Sequence, residues 1–457
     1  RSWGMQRKVS LLVYALCSLA LVLAEPEGVR TAKWINEGHA TLVKGPANEE
    51  TLQFVQLLWR HGDRTPANLI PTDKDNDEKS WPEGLGELTV AGMAQHFRLG
   101  KFLRRRYKGF LGDKFLRNQM HIRSSDYNRT LMSAQGNMAG FFPPNAHEQF
   151  EESLAWQPVP IHTIPREEDI QLYEEVKCPT AEAEYKRIFD EFPQAKKIEE
   201  QEKDLLKFLN EKTKMTEPFD QPLPLKDFWK VYDPLHAEFC HNDTHHWPKW
   251  MNASLYSHII RVYDDSSRFN FHTELLRRLR GGPLVHEVLA RFAEKAACNA
   301  TTCEKLYAYS AHDTTLAAIL ATLGIFPTRF PLYATALMIE MHKVRDGLNI
   351  IQLFHKNETD SEKLFQLEID GCSRPCTLEK LREAMKPFDP TNWKKECGLE
   401  EDGPHIGRYI AAVGVLSLVS TLLALFIAVD VFLKYRRRGS STDGDNDRLL
   451  VTEDDNA

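Results

Sequence analysis

Two stretches far apart in the chain carry residue types suited to holding and attacking a phosphate group. Arg60-His61-Gly62-Asp63-Arg64-Thr65-Pro66 sets a histidine between two guanidinium groups. Guanidinium forks match phosphate oxygens bidentately and stay charged at every relevant pH. Gly62 leaves the backbone room to let a bulky anion approach. His312-Asp313 would add a second imidazole and a carboxylic acid, and Arg123 in Arg123-Ser124-Ser125-Asp126 a third guanidinium. Each stretch also has a purely structural reading. The heptapeptide could be a basic surface loop, and Ser124, Asp126 or Asp313 could cap a following helix. What favours chemistry is convergence, because each cluster follows a short apolar run. None of the usual metal-ligand spacings is present, so neither a metal nor a cofactor is expected.

The apolar runs are Thr51 to Trp59, Gln119 to Ile122 and Lys305 to Ser310. After each polar cluster comes a helical pattern: Ala91 to Phe102, Thr130 to Phe142, and Thr314 to Leu323 with Gly324 as its stop. Strand, loop and helix repeated this way predict an α/β fold with a mostly parallel central sheet flanked by helices. Ligands bind beyond the carboxyl ends of such strands, where the three clusters lie. Between Arg166 and Glu217 the texture becomes highly charged, with Ile198, Leu205 and Leu209 at helical spacing. This predicts a mainly helical cap inserted over 166–295, the α/β domain being formed by 51–165 and 296–400.

Both ends of the chain point to membranes. Arg7 and Lys8 precede the apolar run Val9 to Leu23, which closes on small residues, so 5–24 reads as a secretory signal peptide. Tyr409 to Val429 is 21 residues without a charge, enough to cross a hydrocarbon core of ~30 Å. Lys434, Arg436, Arg437 and Arg438 follow. A transmembrane helix over 409–433 with a cytosolic tail over 434–457 is expected, a type I topology. Asp445, Leu449 and Leu450 have the spacing of an acidic dileucine signal, predicting contact with sorting adaptors and a lysosomal, endosomal or cell-surface residence.

The formal net charge of -7 excludes a general nucleic-acid binder, which would need a broad basic excess. Seven cysteines remain after Cys17 leaves with the leader. This suits an oxidising lumen and leaves one thiol free or paired between chains, as in a homodimer. Sequons begin at Asn128, Asn242, Asn252, Asn299 and Asn357. The last four are expected to be glycosylated, and Asn128, beside the clusters, is not.

Arg60 to Pro66, taken with the distant Ser310-Ala-His-Asp-Thr-Thr315, resembles the histidine acid phosphatase family in its lysosomal/prostatic branch. Trp81 to Thr89, Arg129 to Ser133, Phe142 to Pro144 and Trp156 to Thr163 fit the same branch, and the likeness runs from about 52 to 398. The resemblance implies a phosphate monoester hydrolase with His61 as nucleophile and Asp313 as proton donor. It implies that Arg60, Arg64, Arg123 and His312 hold the phosphoryl oxygens, and that the substrates are small phosphomonoesters. The physical logic agrees. Attack by an imidazole nitrogen splits one displacement into two easier ones. Positioned cations stabilise the equatorial oxygens. A neutral His61 and a protonated Asp313 together place the working range on the acid side of neutral.

The resemblance also pairs Cys178 with Cys397 and Cys372 with Cys376. Cys298 and Cys303 have no counterpart and pair most simply with each other. Ala336 stands where the family has a cysteine, which would leave Cys240 alone. Two other readings remain open: a catalytically silent membrane glycoprotein, and a phosphatase dedicated to one lipid, inositol or protein substrate.

Overall fold

The computed structural model describes residues 40–439, apart from 146, 148, 174, 299–302, 327–328 and 400–402. The leader over 5–24, Asn299, and Asp445, Leu449 and Leu450 of the tail lie outside the described residues. The chain divides into two units, Arg1–Gly398 and Leu399–Ala457.

The first unit is built on a seven-stranded sheet. In chain order the strands are β1 (Thr41–Val43), β2 (Leu52–Arg60), β3 (Met120–Ser124), β4 (Leu306–Ala311), β5 (Ala336–Lys343), β6 (Asn349–Lys356) and β7 (Leu364–Leu367). They lie side by side as β1-β7-β6-β5-β2-β4-β3. β2 pairs parallel with β4, and β4 with β3. The other four pairings are antiparallel. The expected mostly parallel sheet is therefore corrected to a mixed one. The reason is the short link between β5 and β6, which turns at Gly347 with φ +76°. A connection that short can join only antiparallel neighbours.

Side chains alternate across β2 and feed two cores. Phe54 and Leu58 enter one with Leu284, Phe292, Leu316 and Leu320. Val55, Leu57 and Trp59 enter the other with Leu99, Leu103, Met138 and Phe141. Helices cover both faces: α1 (Val90–Arg106) and α2 (Asn128–Phe141) on the second core. Between β3 and β4 the chain is mainly helical, with α3 (Pro179–Glu191), α4 (Pro193–Gln201), α5 (Lys203–Thr213), α6 (Trp229–Cys240), α7 (Ala253–Ser267) and α8 (Gly282–Ala297). α8 joins the first core beside α9 (Asp313–Thr322) and α10 (Leu378–Met385). Disulfides join Cys178 to Cys397, Cys298 to Cys303 and Cys372 to Cys376. Among the described residues no cysteine is free, Cys240 included, so the expectation of a lone Cys240 is corrected.

In the second unit, α11 (Gly403–Gly439) contains the 29-residue apolar stretch Tyr409–Arg437, with none of it buried. By length and composition this helix is able to cross a membrane.

Candidate active site

The parallel register places Arg60 opposite Ala311, and Ser124 opposite Ser310. The carboxyl ends of β2, β3 and β4 thus share one edge, and the three clusters leave from it. His61 is fixed at both backbone atoms: its N–H donates to the Ala311 carbonyl (2.9 Å) and its carbonyl accepts from Ala334 N–H (3.0 Å). The loop then runs tightly past α1. A Cβ on Gly62 would lie 2.4 Å from the Gly92 carbonyl oxygen, so only glycine fits. Asp63 is held by Gln95 Oε1 on its N–H (2.7 Å), and by Thr89 Oγ1 (2.5 Å) and His241 Nε2 (2.7 Å) on its carboxylate.

The His61 ring has its Nδ1 2.8 Å from the Gly62 carbonyl oxygen. A carbonyl can only accept, so Nδ1 carries the hydrogen and the lone pair of the neutral ring sits on Nε2. Burial, followed by the charges of Arg129, Arg60, Arg64 and His312, holds its pKa well below the ordinary histidine value. His61 is therefore a neutral base well into the acid range.

Arg60 donates from Nη2 to Asp313 Oδ2 (2.8 Å) and from Nη1 to the Pro331 carbonyl (2.6 Å), with its guanidinium 4.3 Å from the Tyr333 ring centre. Asp313 opens α9, and its Oδ1 accepts from Thr314 N–H at 2.9 Å. The N-cap is His312, one residue earlier than the capping role considered for Asp313. Arg64 is carried to α6, where Nη2 donates to Asp233 Oδ1 at 2.6 Å. Burial opposes the Arg64 charge, but the Asp233 carboxylate outweighs it and raises the pKa.

His312 has Nδ1 3.4 Å from Arg129 Nη2, which can only donate, and Nε2 2.9 Å from Ser125 Oγ. Its single hydrogen therefore sits on Nε2, facing the Ser125 hydroxyl. Burial first, then Arg129, Arg60, Arg64 and Arg166, lower its pKa well below the ordinary value. The rings of His61 and His312 meet edge-on with centres 5.7 Å apart.

The structure thus brings together Arg60, His61, Arg64, His312 and Asp313. Arg123 turns elsewhere among the described residues: to Asp169, to Gln171 (3.4 Å), and towards Glu287 (3.8 Å). Sequence reasoning did not assign Arg129, Asp233 or His241 to the site. For Arg129 a signal existed, because a cation in the first turn of α2 opposes the helix dipole and calls for another reason to be there. Of the expected glycosylation sites, Asn242, Asn252 and Asn357 are exposed. Asn128 is exposed too, with Nδ2 donating to Glu87 Oε1 at 3.0 Å.

Comparison with known proteins identifies the family of the chain. The family model described as histidine phosphatase superfamily (branch 2) matches residues 51–366. A Caenorhabditis elegans protein provisionally named acid phosphatase 5 is 47% identical over 381 residues, covering 83% of this chain and 87% of that protein. Human lysosomal acid phosphatase is 34% identical over 397 residues, covering 86% of this chain and 90% of the relative. Bovine prostatic acid phosphatase is 36% identical over 359 residues, covering 78% and 90%. Among solved structures, the phytase from Citrobacter braakii superposes with a TM-score of 0.57 at 16% identity, over 76% of this chain and 99% of that one. That likeness concerns the fold alone.

Proposed function

The chain belongs to branch 2 of the histidine phosphatase superfamily and is a phosphoric monoester hydrolase of the acid phosphatase kind; we propose that it works through a phosphohistidine on His61. Nε2 of His61 attacks phosphorus while the bond to the ester oxygen breaks. Asp313 delivers its proton to that oxygen, so an alcohol leaves rather than an alkoxide. Water then attacks the phosphohistidine with Asp313 as base, and phosphate departs from a regenerated neutral His61. Arg60, Arg64 and His312 hold the equatorial oxygens, and Arg123, engaged by Asp169 instead, is left out of that set.

The observation that carries this reading is the bond from His61 Nδ1 to the Gly62 carbonyl. It leaves Nε2 as the one nucleophilic atom of the ring. Acid quench during turnover of a 32P-labelled monoester tests the step. The expected result is acid-labile, alkali-stable label on His61, absent from His61→Ala together with turnover. Label on a serine or an aspartate would overturn the mechanism.

The catalytic unit is further proposed to be lumenal or extracellular, with helices α3–α7 forming the cap that sets specificity. Support comes from the leader, the cations at 434–438, the exposed sequons and the lysosomal relatives. Double substitution of Leu449 and Leu450 by alanine tests sorting through the tail. Redistribution to the cell surface is expected, and an unchanged distribution removes the tail from the account.

A further inference from the structure

Arg60 and His61 rest on a short stretch of backbone, 330–335, in the link from α9 to β5. The Pro331 carbonyl accepts from Arg60 Nη1 at 2.6 Å and the Thr335 carbonyl from Arg60 N–H at 3.1 Å. Ala334 N–H donates to the His61 carbonyl at 3.0 Å. The Tyr333 ring centre lies 4.3 Å from the Arg60 guanidinium and 5.9 Å from the His61 ring. The stretch therefore sets where both residues sit.

It is also strained. Ala334 has φ +52°, in the left-handed region where a Cβ crowds the backbone. Such a conformation persists only where its surroundings enforce it. Thr359, beyond β6, donates from Oγ1 to the Tyr333 carbonyl at 2.6 Å. From the helical region, Asp264 on α7 accepts the Phe330 N–H at Oδ1, at 2.9 Å. α7 is itself seated on α6 by the stacked rings of Tyr232 and Tyr263, with centres 3.7 Å apart. Contacts then run without a gap from Asp264 through Phe330 N–H and the Pro331 carbonyl to Arg60, and from Arg60 to Asp313.

Arg329 Nε stands 3.8 Å from Asp264 Oδ2. Burial raises the Asp264 pKa to about 6, with Asp265 adding to the rise, against the pull of Arg329, the Phe330 N–H and Arg268. On the acid side of that value the carboxyl is mostly neutral, and it offers Phe330 a carbonyl oxygen rather than a charge.

We propose that Asp264 is a positioning residue for the hydrolysis: it holds the strained 330–335 stretch in the conformation that seats Arg60 against Asp313, and so aims the proton donor at the leaving oxygen. It acts through Arg60, not on the substrate. The inference rests on the phosphatase reading above, with Asp313 as the proton donor.

Steady-state rates of the full-length enzyme at acid pH, on an alkyl phosphate and a nitrophenyl phosphate, test this role, with Asp313→Asn as the reference. In Asp264→Ala, kcat on the alkyl phosphate should fall by up to roughly 10²-fold, the cost of misplacing a reacting group by about 1 Å. The nitrophenyl phosphate, whose phenolate needs no proton, should lose much less. Asp264→Asn keeps the acceptor oxygen and should restore most of both rates. Arg329→Gln should leave both near wild type, because the hydrogen bond and not the ion pair holds the stretch. Should Asp264→Ala not fold, Asp264→Gln, whose acceptor lies one methylene further out, carries the same comparison. If Asp313→Asn distinguishes the substrates while the Asp264 variant loses equally on both or not at all, or if Asp264→Asn is no better than Asp264→Ala, the positioning role alone is overturned. Equal losses on both substrates in Asp313→Asn as well would overturn the proton-donor reading, and this role with it.

Discussion

Nε2 of His241 lies 2.7 Å from Oδ1 of Asp63, two residues beyond the proposed nucleophile. His241 directly follows α6, so this contact fastens the helical region to the nucleophile loop across 178 residues of chain. The neighbouring pair from Arg64 to Asp233 fastens the same helix to the same loop. Both partners of the His241 pair are buried, and at such a site an unpaired charge is costly.

Burial alone would lower the His241 pKa, but the Asp63 carboxylate outweighs it and raises the value above that of an ordinary histidine. A folded-state pKa that is raised contributes stability below the unfolded value, about 6.5, and the contribution disappears as pH rises through the folded value. His241→Gln should therefore lower the melting temperature by several degrees at pH 5, on the order of 3 kcal/mol for a broken buried pair. The gap to wild type should narrow steadily above neutral pH. A gap that is constant from pH 5 to 9 in thermal denaturation would show that the charge on His241 contributes nothing.

Gly62→Ala probes the packing of the nucleophile loop. An alanine Cβ at position 62 would lie 2.4 Å from the Gly92 carbonyl oxygen, and one added at position 92 would lie 2.2 Å from the Asp63 carbonyl oxygen. These are backbone atoms and cannot swing aside. The substitution should displace His61 and remove nearly all turnover, since misplacement by about 1 Å already costs roughly 10²-fold. A destabilisation of about 1–3 kcal/mol from overpacking should accompany it. Denaturant unfolding and steady-state rates measured on one preparation check both expectations.

Arg129 is the first charge, after burial, that holds the His61 pKa down. Removing it in Arg129→Gln should raise that pKa towards the ordinary histidine value. The acid limb of kcat/KM, which reports the free enzyme, should move up towards neutral, and the enzyme should lose activity first at its most acid working pH. An acid limb that stays in place would mean that another group titrates there.

What the sequence made legible follows from how locally each feature is encoded. β2, β3 and β4 are short apolar runs ending in polar clusters, and the three structural strands begin and end within two residues of those runs. β5 and β6 escaped notice because Glu340, His342, His355 and Lys356 break their apolar pattern. All four groups are buried, and Glu340, His342 and Lys356 find partners outside their own strands. Glu340 is paired with Arg106 at 2.7 Å and accepts from Tyr107 at 2.9 Å. Lys356 donates to the Glu358 and Thr359 carbonyls at 2.5 and 2.9 Å. With only the parallel strands visible, the sheet read as mostly parallel. The site divides the same way. Arg60 to Arg64 is contiguous and readable, whereas the contacts of Asp63 with His241 and of Arg64 with Asp233 exist only once the chain has folded.

Asp313 accepts from Thr314 N–H through Oδ1 and pairs with Arg60 through Oδ2, so it could serve structure, chemistry or both. Asp313→Asn keeps an acceptor for the Thr314 N–H at the first position of α9. A structural role alone therefore predicts little loss on any substrate. A proton donor predicts a loss that depends on the leaving group, because an amide has no proton to give at this pH. An alkyl phosphate, whose alkoxide needs that proton, should lose most of the roughly 10²–10⁴-fold attributable to general acid catalysis. A nitrophenyl phosphate, whose phenolate departs unaided, should lose far less. The alkaline limb of the alkyl phosphate profile should also flatten in the variant, since the group that must hold a proton is gone. Losses of equal size on the two substrates would assign Asp313 to holding Arg60 in place and would leave the proton donor to be sought elsewhere.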